Sequence, residues 1–256
     1  MREVFLIPNV YHTTVIARPS KVVKSPYMAD IKEPINQSSN NHSVLAHSPS
    51  LGASGMVKPG SQVIVSLKDD DKSKRKSRYT IDMVILSKTL IVGVNPYYAN
   101  EIVEYMLNKK IIHDFENIVN IRKEVKVGNS RLDFVCEGKD GTKTYIEVKN
   151  VPLINDNKIA IFPDGYRKKK NDTVSERAVK HLRELSKLKQ ETKCDTYMVY
   201  VVQRSDAIGF SPAFTDTQYT KAFNQAMDAG VKMIAIKIKW KLNKAFFVST
   251  LPVTIV

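Results

Sequence analysis

Cysteine is almost missing from this 256-residue chain, in which only Cys136 and Cys194 occur. Two cysteines make no disulfide framework, and no CxxC pair or Cys/His cluster has zinc-ligand spacing. Acidic residues are also scarce, 26 against 40 Lys plus Arg, which leaves a formal charge of +14 and a pI near 9.6. No apolar run approaches the ~20 residues needed to cross a bilayer. The apolar stretch near Met1 is too short for a signal peptide. These absences exclude a disulfide-stapled secreted scaffold, a zinc module and a helical membrane protein. The chain reads as soluble, intracellular and cytoplasmic, with no membrane partner.

What is present supports a folded protein with a polyanionic partner. Hydrophobic residues make up 43 % and charged residues 26 %, enough apolar material for one large domain or two small ones. A positive surplus favours nucleic acid, because each phosphate neutralised by lysine or arginine releases counterions. A solvated basic surface without a specific partner is the competing account.

The chain changes character near residue 95. Before it, short β-type runs at 4–7, 13–17, 63–67, 79–86 and 90–94 are separated by turn residues, including the polar stretch 36–43 and Lys58-Pro59-Gly60-Ser61. That pattern predicts a small β-rich barrel or sandwich over residues 1–94, with an OB-like barrel the favoured form. From Pro96 helix and strand alternate: a helix over 99–108, strands at 119–125, 131–136 and 144–150, a helix from Thr173 past Leu188, a strand over 197–203, a helix over 216–229 and a strand over 231–238. Thr173 with Glu176 has capping-box spacing. Residues 95–256 are thus expected to form a second, mixed α/β domain with helices on the faces of a central sheet.

The chemistry concentrates on two of those strands, in Arg131-Leu132-Asp133-Phe134 and Tyr145-Ile146-Glu147-Val148-Lys149-Asn150. Side chains alternate along a strand, so Glu147 and Lys149 share one face. A hairpin would bring Asp133 beside them, since neighbouring strands lie ~4.8 Å apart. Two converging carboxylates need a cation between them, and Mg²⁺ (or Mn²⁺), hard ions with oxygen ligands, suit Asp133, Glu147 and the Val148 carbonyl. Lys149 would then support the attacking water or stabilise charge on the phosphate oxygens. A surface ion pair is the alternative reading of the Glu-x-Lys triplet.

Helix residues could complete the site. Glu101 and Glu104 stand on the helix before the strands, as accessory metal ligands or as acids complementing the helix dipole. Arg177, Lys180, His181 and Arg183 cluster on the next long helix as a phosphate grip, or else as a solvated face. His181 is also a candidate proton donor to the leaving oxygen.

These segments resemble the sugar fermentation stimulation protein family. The resemblance rests on the two strand motifs, on Phe162-Pro163-Asp164, Lys180-His181-Leu182-Arg183-Glu184-Leu185, Val201-Val202-Gln203, Phe210-Ser211-Pro212-Ala213, Ala229-Gly230-Val231 and Leu251-Pro252-Val253-Thr254, and on matches in the first half, so it spans nearly the whole chain. It implies an OB-like N-terminal domain joined to a restriction-endonuclease-like αβββαβ domain of the PD-(D/E)xK type, with nucleic-acid binding. The family's catalytic pattern falls on Asp133, Glu147 and Lys149, and further family positions fall on Asp164, Arg177 and His181. Two departures stand out. The family's His-Cys-Pro-Asn-Thr-Gly-like turn reads His47-Ser48-Pro49-Ser50-Leu51-Gly52 here, and Gly165-Tyr166-Arg167-Lys168-Lys169-Lys170-Asn171 is inserted before the long helix. That basic insertion, and the loop containing Lys74, Arg75, Lys76 and Arg78, are candidate nucleic-acid contacts.

Three readings follow. The first is a Mg²⁺-dependent nuclease acting on DNA or RNA. The second is a non-catalytic DNA-binding regulator of sugar-metabolism genes with a vestigial site. The third is a module for an acidic protein. The sequence leaves the oligomeric state open, a dimer included.

Overall fold

The computed structural model describes residues 1–34, 42–51, 55–68, 77–128, 130–163 and 174–254. Fifteen strands, numbered in chain order, and three α-helices occur among them. The strands β2 (Val10–Ala17), β3 (Met28–Lys32), β4 (Ser43–His47), β5 (Gln62–Leu67) and β6 (Tyr79–Ser87) close on themselves: β4-β3-β2-β5-β6, with β6 returning to pair in parallel with β4. This five-strand circuit is the barrel expected of the first half, and full closure removes its exposed edges. β3 and β4 were not evident in the sequence; both have only five residues, too few to display a period. β7 (Leu90–Gly93) extends the sheet from β6.

The second unit is a seven-stranded sheet in the order β1-β15-β14-β12-β10-β9-β8. β8 (Ile118–Val127), β9 (Ser130–Gly138) and β10 (Lys143–Val151) form an antiparallel meander. β10, β12 (Asp195–Val202) and β14 (Lys232–Lys241) are parallel. β15 (Lys244–Leu251) and β1 (Arg2–Leu6) finish that side, so the first strand of the chain pairs into the large sheet. β12 is buried along nearly its whole length because helices cover both faces, which explains its unbroken apolar sequence. α1 (Tyr97–Asn108) lies on one face, with Ile102, Val103 and Met106 packed in a core with Phe134, Ile146, Val199 and Ile236. α2 (Glu176–Glu191) and α3 (Thr217–Asp228) cover the other, where Leu182, Leu185, Tyr219 and Phe223 meet Met198 and Tyr200. A small two-stranded parallel sheet, β11 (Ile159–Phe162) with β13 (Gly209–Pro212), flanks this side.

Two local differences from the sequence reading have simple causes. The long helix begins at Glu176, capped by Ser175, whose hydroxyl accepts the Ala178 N–H at 3.2 Å. Thr173, from which the capping box is read, lies outside the described residues. β14 runs to Lys241, and a tight turn through Leu242 (φ 51°) returns it as β15. No helix among the described residues is long and apolar enough to cross a membrane.

Candidate active site

Asp133 sits where β9 and β10 part. The ladder between them runs from Lys143/Glu137 to Ile146/Phe134 and stops. Leu132 is buried in the core under α2 and α3, while Phe134, two residues on, is buried in the core under α1. In a regular strand residues two apart share a face, so β9 turns over at Asp133. The N–H of Val148 consequently donates to Asp133 Oδ2 at 2.7 Å, and Asn100 Nδ2, from α1, donates to Oδ1 at 2.9 Å.

Glu147 is 2 % exposed and faces the α2 side of β10. Its Oε1 accepts from Lys149 Nζ and meets His181 Nδ1 of α2 in close contacts. Its other oxygen, Oε2, is buried with no protein hydrogen-bond partner. Below lie Tyr200 and Tyr219, fully buried, with their hydroxyls 2.6 Å apart. Burial holds both phenols well above their ordinary range, so the floor of the site is neutral and of low dielectric.

Charge at the site is asymmetric. Burial, and then the neighbouring Glu147 charge, push the Asp133 carboxyl up to about 6 despite Lys149 and the two donated hydrogen bonds. For Glu147 burial opposes ionisation, but Lys149 and His181 outweigh it and hold the carboxyl below its ordinary value. One carboxylate is thus neutralised by protein and the other is short of positive charge.

These features fit a hard divalent cation. A buried carboxylate oxygen without a partner and a second carboxyl destabilised by its neighbour are both relieved by a cation between them. Among the described residues no cluster of three or more His, Cys, Asp or Glu forms a metal nest. A hard ion of this kind keeps several waters and needs only one or two carboxylates. Asp133 and Glu147 would hold it, with the Val148 carbonyl as the main-chain donor.

The remaining sequence candidates divide three ways. Glu101 and Glu104 line a cleft of about 380 Å³ together with Asn100, Lys123 and Asp133, so they share a surface with the site. Glu104, however, is paired with Lys123 at 2.9 Å. Arg177, Lys180 and Arg183 are exposed on α2, whereas His181 is buried at 3 % exposure and points inward to Glu147. It is therefore not part of a basic surface strip with the other three. Arg78 is exposed beside the barrel. Lys74, Arg75, Lys76, Asp164, Arg167, Lys168, Lys169 and Lys170 lie outside the described residues.

Sequence reading missed Asn100, whose role arises only from the packing of α1 against the β9 turnover. It also missed the inward turn of His181, although a signal was available. His181 is three residues from Ala178 and four from Leu185, both on the buried stripe of α2.

The protein-family comparison decides the relationship: a family model described as the sugar fermentation stimulation protein RE domain matches residues 97–244, which contain the whole site. This chain belongs to that family. A sugar fermentation stimulation protein homolog from Maricaulis maris is 36 % identical over 195 residues, covering 75 % of this chain and 78 % of the relative. A family member from Marinomonas sp. is 29 % identical over 230 residues, covering 89 % of this chain and 83 % of its own. Among solved structures, Pyrococcus furiosus SfsA in complex with Ca²⁺ matches over 100 % of both chains with a TM-score of 0.81 at 18 % identity. At that identity the likeness shows a shared fold, from the barrel through to the last strands.

Proposed function

We propose that this family member is a metal-dependent phosphodiesterase that cleaves DNA or RNA, with Asp133, Glu147 and Lys149 as its working residues. The observation that carries the reading is the buried Glu147 Oε2 without a protein partner, on a carboxylate that pairs with Lys149 and lies near enough to Asp133 to disfavour its ionisation. A bound Mg²⁺ or Mn²⁺ would supply Lewis-acid polarisation of the phosphoryl group. Without that charge, Lys149 serves as the counter-ion of Glu147. Its side chain is 12 % exposed, against 2 % for Glu147, which leaves it the more accessible partner, able to donate to water or to a non-bridging phosphate oxygen. Asn100 and the Val148 N–H hold Asp133 in one orientation, and His181 does the same for Glu147.

The net charge of +14 supports a nucleic-acid substrate, and Arg177, Lys180 and Arg183 offer cations on the helix that carries His181. The calcium bound to the Pyrococcus relative supports a hard-ion site in the family. The test is a cleavage panel of single-stranded DNA, duplex DNA and RNA with Mg²⁺, Mn²⁺ or EDTA. Metal-dependent cleavage lost in Asp133→Ala and Lys149→Ala, with binding kept, supports the enzyme. Salt-sensitive binding without turnover on any substrate would instead leave a non-catalytic nucleic-acid-binding protein.

A further inference from the structure

A second concavity adjoins the site on the barrel side. It holds about 220 Å³ and is lined by Ser50 of the barrel's 47–51 turn, Pro96 at the start of α1, Asn150 and Pro152 at the end of β10, and Leu153, Ile161 and Phe162. Pro96 also lines the cleft that contains Asp133, and Asn150 directly follows Lys149, so the two concavities share a wall. The volume falls below the ~300 Å³ at which sites for drug-sized ligands begin, so one ring system fits and a whole nucleotide does not. Proline and aliphatic faces with one aromatic ring suit a flat heterocycle.

The hydrogen-bond polarity of this pocket can be worked out. Trp240 Nε1 can only donate, and it donates to Gln203 Oε1 at 2.8 Å. That fixes the Gln203 amide, so its Nε2 donates to Asn150 Oδ1 at 2.8 Å. Oδ1 is thereby held toward Gln203, and Nδ2, a donor, is the end of the amide turned away from it. The mouth is also fixed, because Arg18 Nη2 donates to the Ser50 carbonyl at 2.6 Å and its Nε to the Pro26 carbonyl at 3.1 Å. Ser50 stands where this chain departs from the family's Asn-containing turn, so the lip is the part of the pocket that differs.

We propose that this pocket receives one base of the bound strand next to the scissile phosphate, and that Asn150 reads it as a donor. The inference rests on the nucleic-acid reading above. It selects bases that show a carbonyl where others show an amino group, thymine or uracil over cytosine, because a donor facing an exocyclic amine leaves both groups unpaired.

The experiment measures binding, not cleavage, so that it stands apart from the nuclease proposal. Fluorescence anisotropy in EDTA compares labelled eight-residue oligothymidylate and oligocytidylate, which differ at that group, at the adjacent N3 and at the thymine methyl, for the parent, for Asn150→Asp, which isolates the hydrogen-bonding difference, and for Leu153→Trp. The parent is expected to prefer oligothymidylate about fivefold or more, the size of one net hydrogen bond. Asn150→Asp turns the donor into an acceptor and should abolish or reverse that ratio. Leu153→Trp fills the pocket and should bring the ratio to about one. Thermal melting establishes which variants fold. A parent ratio near one, or an unchanged ratio in a folded variant, overturns the proposal whether or not the protein cleaves. A preference that responds to the variants, in a protein that cuts nothing, upholds the pocket and sinks the nuclease.

Discussion

Asn100 is the residue whose contribution can be separated most cleanly from that of the fold. It is half-buried, lies on the site-facing side of α1 and donates its side-chain amide to Asp133. That bond favours the ionised carboxylate and works against the rise to about 6 caused by burial and Glu147. Removing it raises the Asp133 value further. Asn100→Ala is therefore expected to move the acidic limb of the pH–rate profile to higher pH and to reduce metal-dependent cleavage roughly 10- to 100-fold, as loss of an outer-shell partner does. A profile that falls in height without moving would show that Asn100 does not position Asp133. At this scale the sequence is partly readable. Alternation on β10 is enough to set Glu147 beside Lys149, since it needs only local geometry. Asn100, 33 residues from Asp133, and His181, 34 residues from Glu147, owe their parts to tertiary packing.

Two helices owe their alignment to one side chain. Asp216 caps α3 by accepting the Tyr219 N–H at 3.0 Å, and its other oxygen accepts the Val174 N–H, just before α2, at 2.7 Å. It is 2 % exposed, so its loss leaves two N–H groups without their acceptor in the interior. Asp216→Ala should cost about 2–3 kcal/mol in urea denaturation, against ~1 kcal/mol for the single cap lost in Ser175→Ala. Equal costs would mean that the link between α2 and α3 contributes nothing. Because α2 carries His181 and α3 carries Tyr219, the same change should also loosen the Glu147 side of the site. Elements of this length are readable because ten or more residues repeat one period. β15, eight residues long, also escaped notice, but the other missed strands are short, such as β11 and β13 with four residues each, which pair with each other across some 50 residues. A run that short carries too few repeats to announce a period.

The barrel and the large sheet are joined by a continuous core rather than by a linker. Ile64 and Met83 of the barrel belong to the same buried cluster as α1, Phe134 and Trp240. Gly93 closes the seam: its N–H donates to the Gln203 carbonyl at 3.1 Å, and a Cβ there would stand 2.5 Å from Trp240 Nε1. Gly93→Ala should therefore lower stability by about 1–3 kcal/mol while both units keep unfolding in one transition. The sequence changes character near residue 95, but composition cannot show that the two units share a core or that β1, from the first half, pairs into the large sheet.

Asp82 gives that seam a pH dependence. It lies on β6 and is fully buried, and Asn95, just ahead of α1, donates to its Oδ1 at 2.8 Å. Burial raises its carboxyl above the ordinary value, outweighing the hydrogen bond from Asn95 and the nearby polar groups of Ser66 and Tyr98. An acid whose folded value is raised binds its proton more tightly when folded. Its contribution to stability is then complete below the unfolded value of about 4 and is lost as pH rises toward the folded value. Asp82→Asn keeps the shape, keeps an oxygen for Asn95 and offers an amide to the neighbouring hydroxyls, but has no charge to bury. The variant should match the parent near pH 4 and exceed it increasingly toward pH 8, read as the gap between their urea midpoints. Parallel curves across that range would mean that Asp82 is ionised in the folded seam and that its surroundings compensate the charge in full.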